Sequence, residues 1–341
     1  MHTVIVTLQE KHYPTIFGEE DRKRLEKIAT VHYRPDLTRG SEKFEKSLED
    51  RLIDAINAAK ADVVISGWGA PPITVKVMNS CPTFKYLCHF TGELKWCVER
   101  GTIEKGLLVT NWGDCTAQGT AEGALAMTFA LLRNYHVMVD WMRRDRLYWD
   151  TPRQDEGLFY QRIGLHGFGA IAQEYAKLLT PFQCKVSAYS PHVPDSIFES
   201  LGVRRMTTLE ELYSTNRIIS VHAAKTPANY HIIGAKLLAM IEDGGFFINT
   251  ARGAILDADA MVAELKRGRI TAGLDVFEEE PLAADSPLRD LPNCFIVPHR
   301  AGPTWDNRLV MGKHGVDNIT RFIKGEPVDS VIDLRKYDLM T

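Results

Sequence analysis

Arg162-Ile163-Gly164-Leu165-His166-Gly167-Phe168-Gly169-Ala170-Ile171-Ala172 reads as a strand, a tight turn and the start of a helix. Arg162–His166 has the short apolar run of a buried strand, and Ala170–Leu179 carries apolar residues at helical spacing. Between them, Gly167 permits the sharp turn. Gly169 lets the backbone approach a phosphate, which then rests on the free N–H groups of the helix start. Ala172 takes the third position of the pattern, where helix–strand packing asks only for a small residue. In this context the spacing signals a dinucleotide site at Gly167, Gly169, Ala170 and Ile171. Alone, the motif is equally compatible with an ordinary tight turn, so its surroundings decide.

Downstream, strands are predicted at Lys185–Tyr189, Arg217–His222, Gly245–Asn249, Ile270–Leu274 and Phe295–Val297. Helices are predicted between them at Leu209–Tyr213, Gly234–Met240 and Ala258–Arg267, with a closing helix at Thr304–Lys324. Upstream, strands Thr3–Leu8, Val31–Tyr33, Ala61–Ser66, Phe84–Cys88 and Leu107–Thr110 alternate with helices Glu19–Ala29 and Ser41–Ala59, the latter with Ser41 as N-cap. Gln118–Val137 reads as one long apolar helix. Such alternation predicts an α/β protein of two doubly wound parallel sheets. The 341 residues suit about two domains. Without a polar linker or repeat, the boundary is short: 1–116 plus 304–341 as one domain, 117–303 as the other.

Composition narrows the function. Apolar residues make up 45% and charged residues 25%, ordinary values for a globular chain. The formal charge of −3 offers no basic footprint for nucleic acid or an anionic membrane. The least interrupted apolar run, Gly123–Leu132, is ten residues long, too short to span a bilayer. No secretory or transit segment precedes the first strand, and the six cysteines form no C-x-x-C pair. These features point to reduced thiols in the cytoplasm and to no metal site.

Chemistry gathers in the last third. Asn249-Thr250-Ala251-Arg252-Gly253, Asp275 with Glu278-Glu279-Glu280-Pro281, and Val297-Pro298-His299 each follow a predicted strand. In a parallel sheet the carboxyl ends of strands converge on the ligand crevice. Arg252, Asp275, Glu280 and His299 can therefore meet despite their separation. Together they offer a guanidinium fork for a carboxylate, an imidazole for proton transfer and a carboxylate to orient it. Taken singly, each is as readily a surface residue. Jointly they mark a site.

On these residues the chain resembles the D-isomer-specific 2-hydroxyacid dehydrogenases. The resemblance runs from about Ala61 to Val331 through Ile163–Ala172, Val221–Thr226, Ile248–Asp257, Ala272–Pro281 and Val297–Thr304. It implies a Rossmann cofactor domain inserted in a flavodoxin-like substrate domain, with the active site in the cleft between them. It implies an NAD(P)-dependent oxidoreductase that moves a hydride between nicotinamide and a D-2-hydroxy or 2-oxo acid. Arg252, Glu280 and His299 match the family's catalytic residues: carboxylate grip, histidine partner and proton carrier. Ser190, His222, Thr226, Ala251, Arg252, Asp275 and His299 join the glycine loop in holding the cofactor, Asp275 toward the nicotinamide carboxamide. Trp68, Gly69, Phe90, Thr91, Gly92 and Arg252 hold the substrate. The family precedent is a homodimer.

Several positions depart from the family pattern. Ser190 stands where an acid usually bonds the ribose hydroxyls, which leaves the cofactor as NAD or NADP. Ala224, Glu93-Leu94-Lys95, Arg300 and Trp305 also differ, and the last three bear on the substrate. Trp68, Phe90, Arg300 and Trp305 suggest aromatic walls and an extra anion site. Glu280 argues against formate oxidation, because that branch carries glutamine there. The alternatives are an NAD(H)-sensing, corepressor-like binding protein of the same fold and a methyltransferase. The latter leaves Arg252, Glu280 and His299 without a task.

Overall fold

The computed structural model describes residues 2–39, 47–144 and 155–340. Two compact units emerge, Met1–Thr116 with Trp305–Thr341, and Ala117–Thr304. Each has its own sheet and its own core.

Unit 1 is built on β1 (Thr3–Val6), β2 (Thr30–Tyr33), β3 (Val63–Ser66), β4 (Tyr86–His89) and β5 (Leu108–Thr110). All pair in parallel, in the order β2-β1-β3-β4-β5. This is the flavodoxin-like order, which reverses direction between β1 and β3. Strands β3 and β4 are buried on both faces, so they read as unbroken apolar runs. Apolar clusters cover each face: Leu52, Ile56, Val64 and Leu87 on one, Phe17, Tyr86, Phe90 and Ile319 on the other.

Unit 2 carries β6 (Arg162–His166), β7 (Lys185–Tyr189), β8 (Arg204–Arg205), β9 (Ile218–Val221), β10 (Phe246–Asn249), β11 (Thr271–Leu274) and β12 (Cys294–Ile296). The order is β12-β11-β10-β9-β6-β7-β8, again all parallel. This is the Rossmann order extended by one strand, with its switch point between β6 and β9.

The structure corrects several element boundaries. The predicted helix Gln118–Val137 is two helices, Ala117–Leu132 and Tyr135–Arg143. Asn134 between them has φ 51°, a left-handed conformation that asparagine tolerates and that ends a helix. The first helix is buried along much of its length, and the second buries no residue. The closing helix runs Leu309–Lys324, starting five residues later than predicted. Ser41, the predicted N-cap, lies outside the described residues. The described helix is Leu48–Ala59, and Ser47 caps it by accepting from the Asp50 amide at 3.1 Å.

Among the described residues, no helix is long and apolar enough to cross a membrane. The six cysteines are unpaired.

Candidate active site

The glycine turn sits at the switch point of unit 2. Gly167 has φ +96°, and a Cβ there would meet the Ala223 amide and the His222 carbonyl carbon at 2.6 and 2.7 Å. Only glycine serves, on grounds of both conformation and space. Gly169 is the N-cap of helix Ala170–Leu179 and makes no side-chain cap bond. A Cβ on Gly169 would meet nothing within 4 Å. The first amides of the helix, at Ala170 and Ile171, follow this uncapped glycine with open space beside it, which suits the close approach of a pyrophosphate.

The other predicted cofactor residues follow the same strand ends. Ser190 comes directly after β7, and its carbonyl accepts from the Arg205 guanidinium at 3.3 Å. His222 follows β9 with Nε2 2.9 Å from the Ser220 hydroxyl. Burial, with His166 nearby, pushes the His222 ring down to about 3, so it is neutral. Thr226 spends its hydroxyl locally, accepting from the Asn229 amide at 3.3 Å. Beside Ala251, the Thr250 hydroxyl is buried without a partner in the protein. A buried orphan hydroxyl at a strand end is a group a ligand would satisfy. The uncapped helix start and this orphan both fit a dinucleotide.

Arg252 is shaped by its own loop. The Asn249 side chain closes the turn after β10: Oδ1 accepts from the Ala251 amide at 3.0 Å, and Nδ2 donates to the Arg252 carbonyl at 3.1 Å. Gly253 follows, and a Cβ there would overlap the Phe277 carbonyl group. The backbone of the loop bearing Glu280 therefore runs directly against the loop bearing Arg252. Asn249 and Gly253 had no role in the sequence reading. An Asx turn ahead of the arginine was the available signal.

His299 and Glu280 form the central pair. His299 Nδ1 lies 2.8 Å from Glu280 Oε2. The other carboxylate oxygen, Oε1, accepts from the Phe277 amide at 3.0 Å, so Glu280 is held from both sides. His299 has φ 52°, a sparsely populated conformation for a side-chain-bearing residue. Asp275 supports that turn. Its carbonyl accepts from the His299 amide at 2.8 Å, and its carboxylate accepts from the Arg300 and Ala301 amides at 2.5 and 3.0 Å. Asp275 is only 1% exposed; burial pushes its carboxyl up, against the two amides that favour the charged form. From the helix side, Gly123 makes room for the same turn, since a Cβ there would overlap the Ala301 backbone. The structure thus brings together Asp275, Glu280 and His299, and seats the Arg252 loop against the Glu280 loop.

Unit 1 places the predicted substrate residues at the ends of β3 and β4. Trp68 lies under the Arg308 guanidinium, 5.1 Å from its ring centroid, and the same guanidinium lies 5.2 Å from the ring centroid of Trp305. Gly69 has φ +81°. Thr91 is buried, and Asn111 Nδ2 donates to the Gly92 carbonyl at 2.8 Å. The Phe90 ring corrects the expectation of an aromatic wall there. It is 1% exposed, packs edge-on to Phe17 at 5.3 Å and fills the space over Gly315. The residue before it, His89, points to the opposite face, as alternation along a strand requires.

A doubly wound sheet with an open helix start, and a histidine–carboxylate pair at its strand ends, define a dinucleotide-dependent oxidoreductase. The chain belongs to the D-isomer-specific 2-hydroxyacid dehydrogenase family: the model of that family's NAD-binding domain matches residues 125–301. The D-3-phosphoglycerate dehydrogenase of Methanocaldococcus jannaschii is 30% identical over 93% of this chain, and the chain spans 58% of that relative's length. A glyoxylate reductase of Thermofilum pendens is 28% identical over 89% of this chain and 87% of its own. The apo D-mandelate dehydrogenase of Rhodotorula graminis has the same fold, with TM-score 0.84, 20% identity and 97% of each chain covered. This protein is accordingly an enzyme of that family, and the matched domain is the family's NAD-binding domain.

Proposed function

We propose that the enzyme reduces a small 2-oxo acid to the D-2-hydroxy acid, or runs the reverse reaction, with Arg252, Glu280 and His299 as catalytic residues. The observation that carries this reading is the His299–Glu280 pair at 2.8 Å beside the Arg252 loop. The Gly167–Ile171 turn and the loops after β7, β9 and β10 would hold the dinucleotide, whose chemistry would be to supply or accept the hydride. His299 gives Nδ1 to Glu280, which leaves Nε2 to donate a proton to the substrate oxygen in reduction or to take it in oxidation. Glu280 fixes the ring's tautomer and orientation. Arg252 binds the substrate carboxylate and polarises the adjacent carbonyl. Trp68, Gly69, Thr91 and Gly92 are the substrate residues of unit 1, which is the substrate domain in this reading. The relatives act on glyoxylate and phosphoglycerate by name, so small 2-oxo acids are the substrates to try first. The test is a panel of 2-oxo acids with NADH and NADPH, read by absorbance. No turnover with any of them, combined with nucleotide-dependent assembly, would replace the enzyme by a nucleotide sensor.

Two further features complete the reading. Helix Tyr135–Arg143 exposes Tyr135, Val139 and Met142 at helical spacing, and Phe159 and Tyr160 are also exposed. This apolar surface on unit 2 is the one we assign to a homodimer, and Val139→Glu should release monomers in light scattering. Six unpaired thiols, four of them buried, suit a reducing cytoplasm.

A further inference from the structure

His89 ends β4 and is 1% exposed, yet both of its ring nitrogens are engaged by side chains. Nδ1 lies 2.7 Å from the Ser66 hydroxyl, and Nε2 lies 2.6 Å from the Thr91 hydroxyl. Ser66 ends β3 and is 0% exposed; Thr91 is 1% exposed. Ser66 is followed at once by Gly67-Trp68-Gly69, and Thr91 lies inside Phe90-Thr91-Gly92. One imidazole therefore ties together the two loops that carry the substrate residues of unit 1. The backbone repeats the tie once, where the Ser66 carbonyl accepts from the Phe90 amide at 2.8 Å.

Neutral imidazole has one donor and one acceptor nitrogen, so one hydroxyl must donate to the ring and the other must accept from it. This polarity orients the strap as well as joining its ends. Burial without any charged partner, opposed only by a hydrogen bond with the Glu93 backbone, pushes the ring down to about 3 and keeps it neutral, so the arrangement persists across the working pH range. A polar triad this deep is costly unless every member is satisfied, and an apolar side chain would fill the same space without that demand.

We infer that His89 is a positioning residue for substrate binding: the Ser66–His89–Thr91 strap sets the two loops of unit 1 relative to one another. The inference rests on the proposed substrate role of those loops, and the experiment separates the two claims. Hydrogen–deuterium exchange of the full chain is compared between wild type and His89→Phe, and steady-state kinetics are measured with glyoxylate and NADH. His89→Phe leaves both hydroxyls without a partner. It should speed exchange in 67–72 and 90–94 by about tenfold, and leave 246–255 in unit 2 unchanged. KM for glyoxylate should rise about tenfold, with kcat and KM for NADH near wild type. His89→Asn, which retains a polar group near Nδ1, should restore protection mainly in 67–72. His89→Gln, which retains one near Nε2, should restore it mainly in 90–94. These two variants also carry the test should the phenylalanine variant not fold. Unchanged exchange in both loops would overturn the strap. Exchange faster in both loops with KM for glyoxylate and KM for NADH rising in parallel would reduce His89 to a structural residue. A wild type that turns over no 2-oxo acid would remove the proposed function, and the exchange data would still decide whether His89 joins the loops.

Discussion

His89 of unit 1 and His299 of unit 2 share one feature of placement. Each stands at or just past the carboxyl end of a strand in a parallel doubly wound sheet. His299 is about half exposed, with a carboxylate on Nδ1 at 2.8 Å. His89 is buried, with a hydroxyl on each nitrogen and no carboxylate. The fold brings either histidine to the place where ligands bind, but the partners decide what it can do. A carboxylate partner leaves one nitrogen free and supports the charge that proton transfer creates. Two buried hydroxyls consume both nitrogens, and burial holds the ring neutral. The first arrangement suits acid–base chemistry, the second geometry.

The comparison breaks most directly at His299. His299→Ala should lower kcat by roughly a hundredfold or more, the scale of a lost general acid–base group. The tenfold effect expected at His89 falls instead on KM. Equal kcat losses in both variants, measured side by side, would erase the distinction.

With the proposed grip of the guanidinium on substrate in both the ground and the transition state, Arg252→Ala should lower kcat/KM about a hundredfold. KM for the oxo acid should rise more than KM for the nucleotide, measured side by side. Glu280→Gln should cost roughly tenfold in kcat. The amide keeps the shape but can present N–H to the ring, which disturbs the tautomer. Recovery of full rate in Glu280→Asp at the same pH would show that charge, and not reach, is the requirement. A Glu280→Gln enzyme at wild-type speed would detach the carboxylate from the chemistry.

Buried rings also sharpen the contrast through stability. Burial pushes His89 down to about 3 and His166 to about 4, against 6.5 for a free ring. Below pH 6.5 the unfolded chain therefore binds protons that the folded chain refuses. Stability is complete above pH 6.5 and declines as pH falls toward those values, by about 2 kcal/mol per ring at pH 5. His89→Gln should remove the share of this decline that His89 contributes, leaving those of the other buried rings. Urea unfolding at pH 7 and pH 5 measures it, and an identical pH dependence in the variant would show that His89 accepts a proton in the folded state.

The last expected effect concerns the cofactor. Ser190 is neutral, and Arg205 reaches its carbonyl while also pairing with Asp195 and donating to the Val193 carbonyl at 3.0 Å. Arg204 is turned to Glu211 at 2.9 Å. Of these two neighbouring arginines, Arg205 is therefore the one beside Ser190. NADPH should be accepted, and Ser190→Asp should shift the kcat/KM ratio toward NADH by about tenfold, through repulsion of the phosphate. A wild type already favouring NADH by orders of magnitude, unmoved by the aspartate, would remove this reading alone.

The strand–turn–helix at Arg162–Leu179, the alternation of strands and helices, and the order of Arg252, Glu280 and His299 are legible in the chain itself. These follow from local rules: apolar periodicity, the conformational freedom of Gly167 and the convergence of strand ends in a parallel sheet. Tertiary structure decided which side chains those loops deliver. Phe90 reads as a cleft residue by type but faces the core. His89 carries no motif, because its meaning depends on Ser66, 23 residues away. Asn134 splits a helix that apolar spacing alone runs together. Gly253 and Gly123 matter only because another backbone passes over them. In each case the deciding partner lies far along the chain, and what brings it near is the packing of whole elements, which no local pattern encodes.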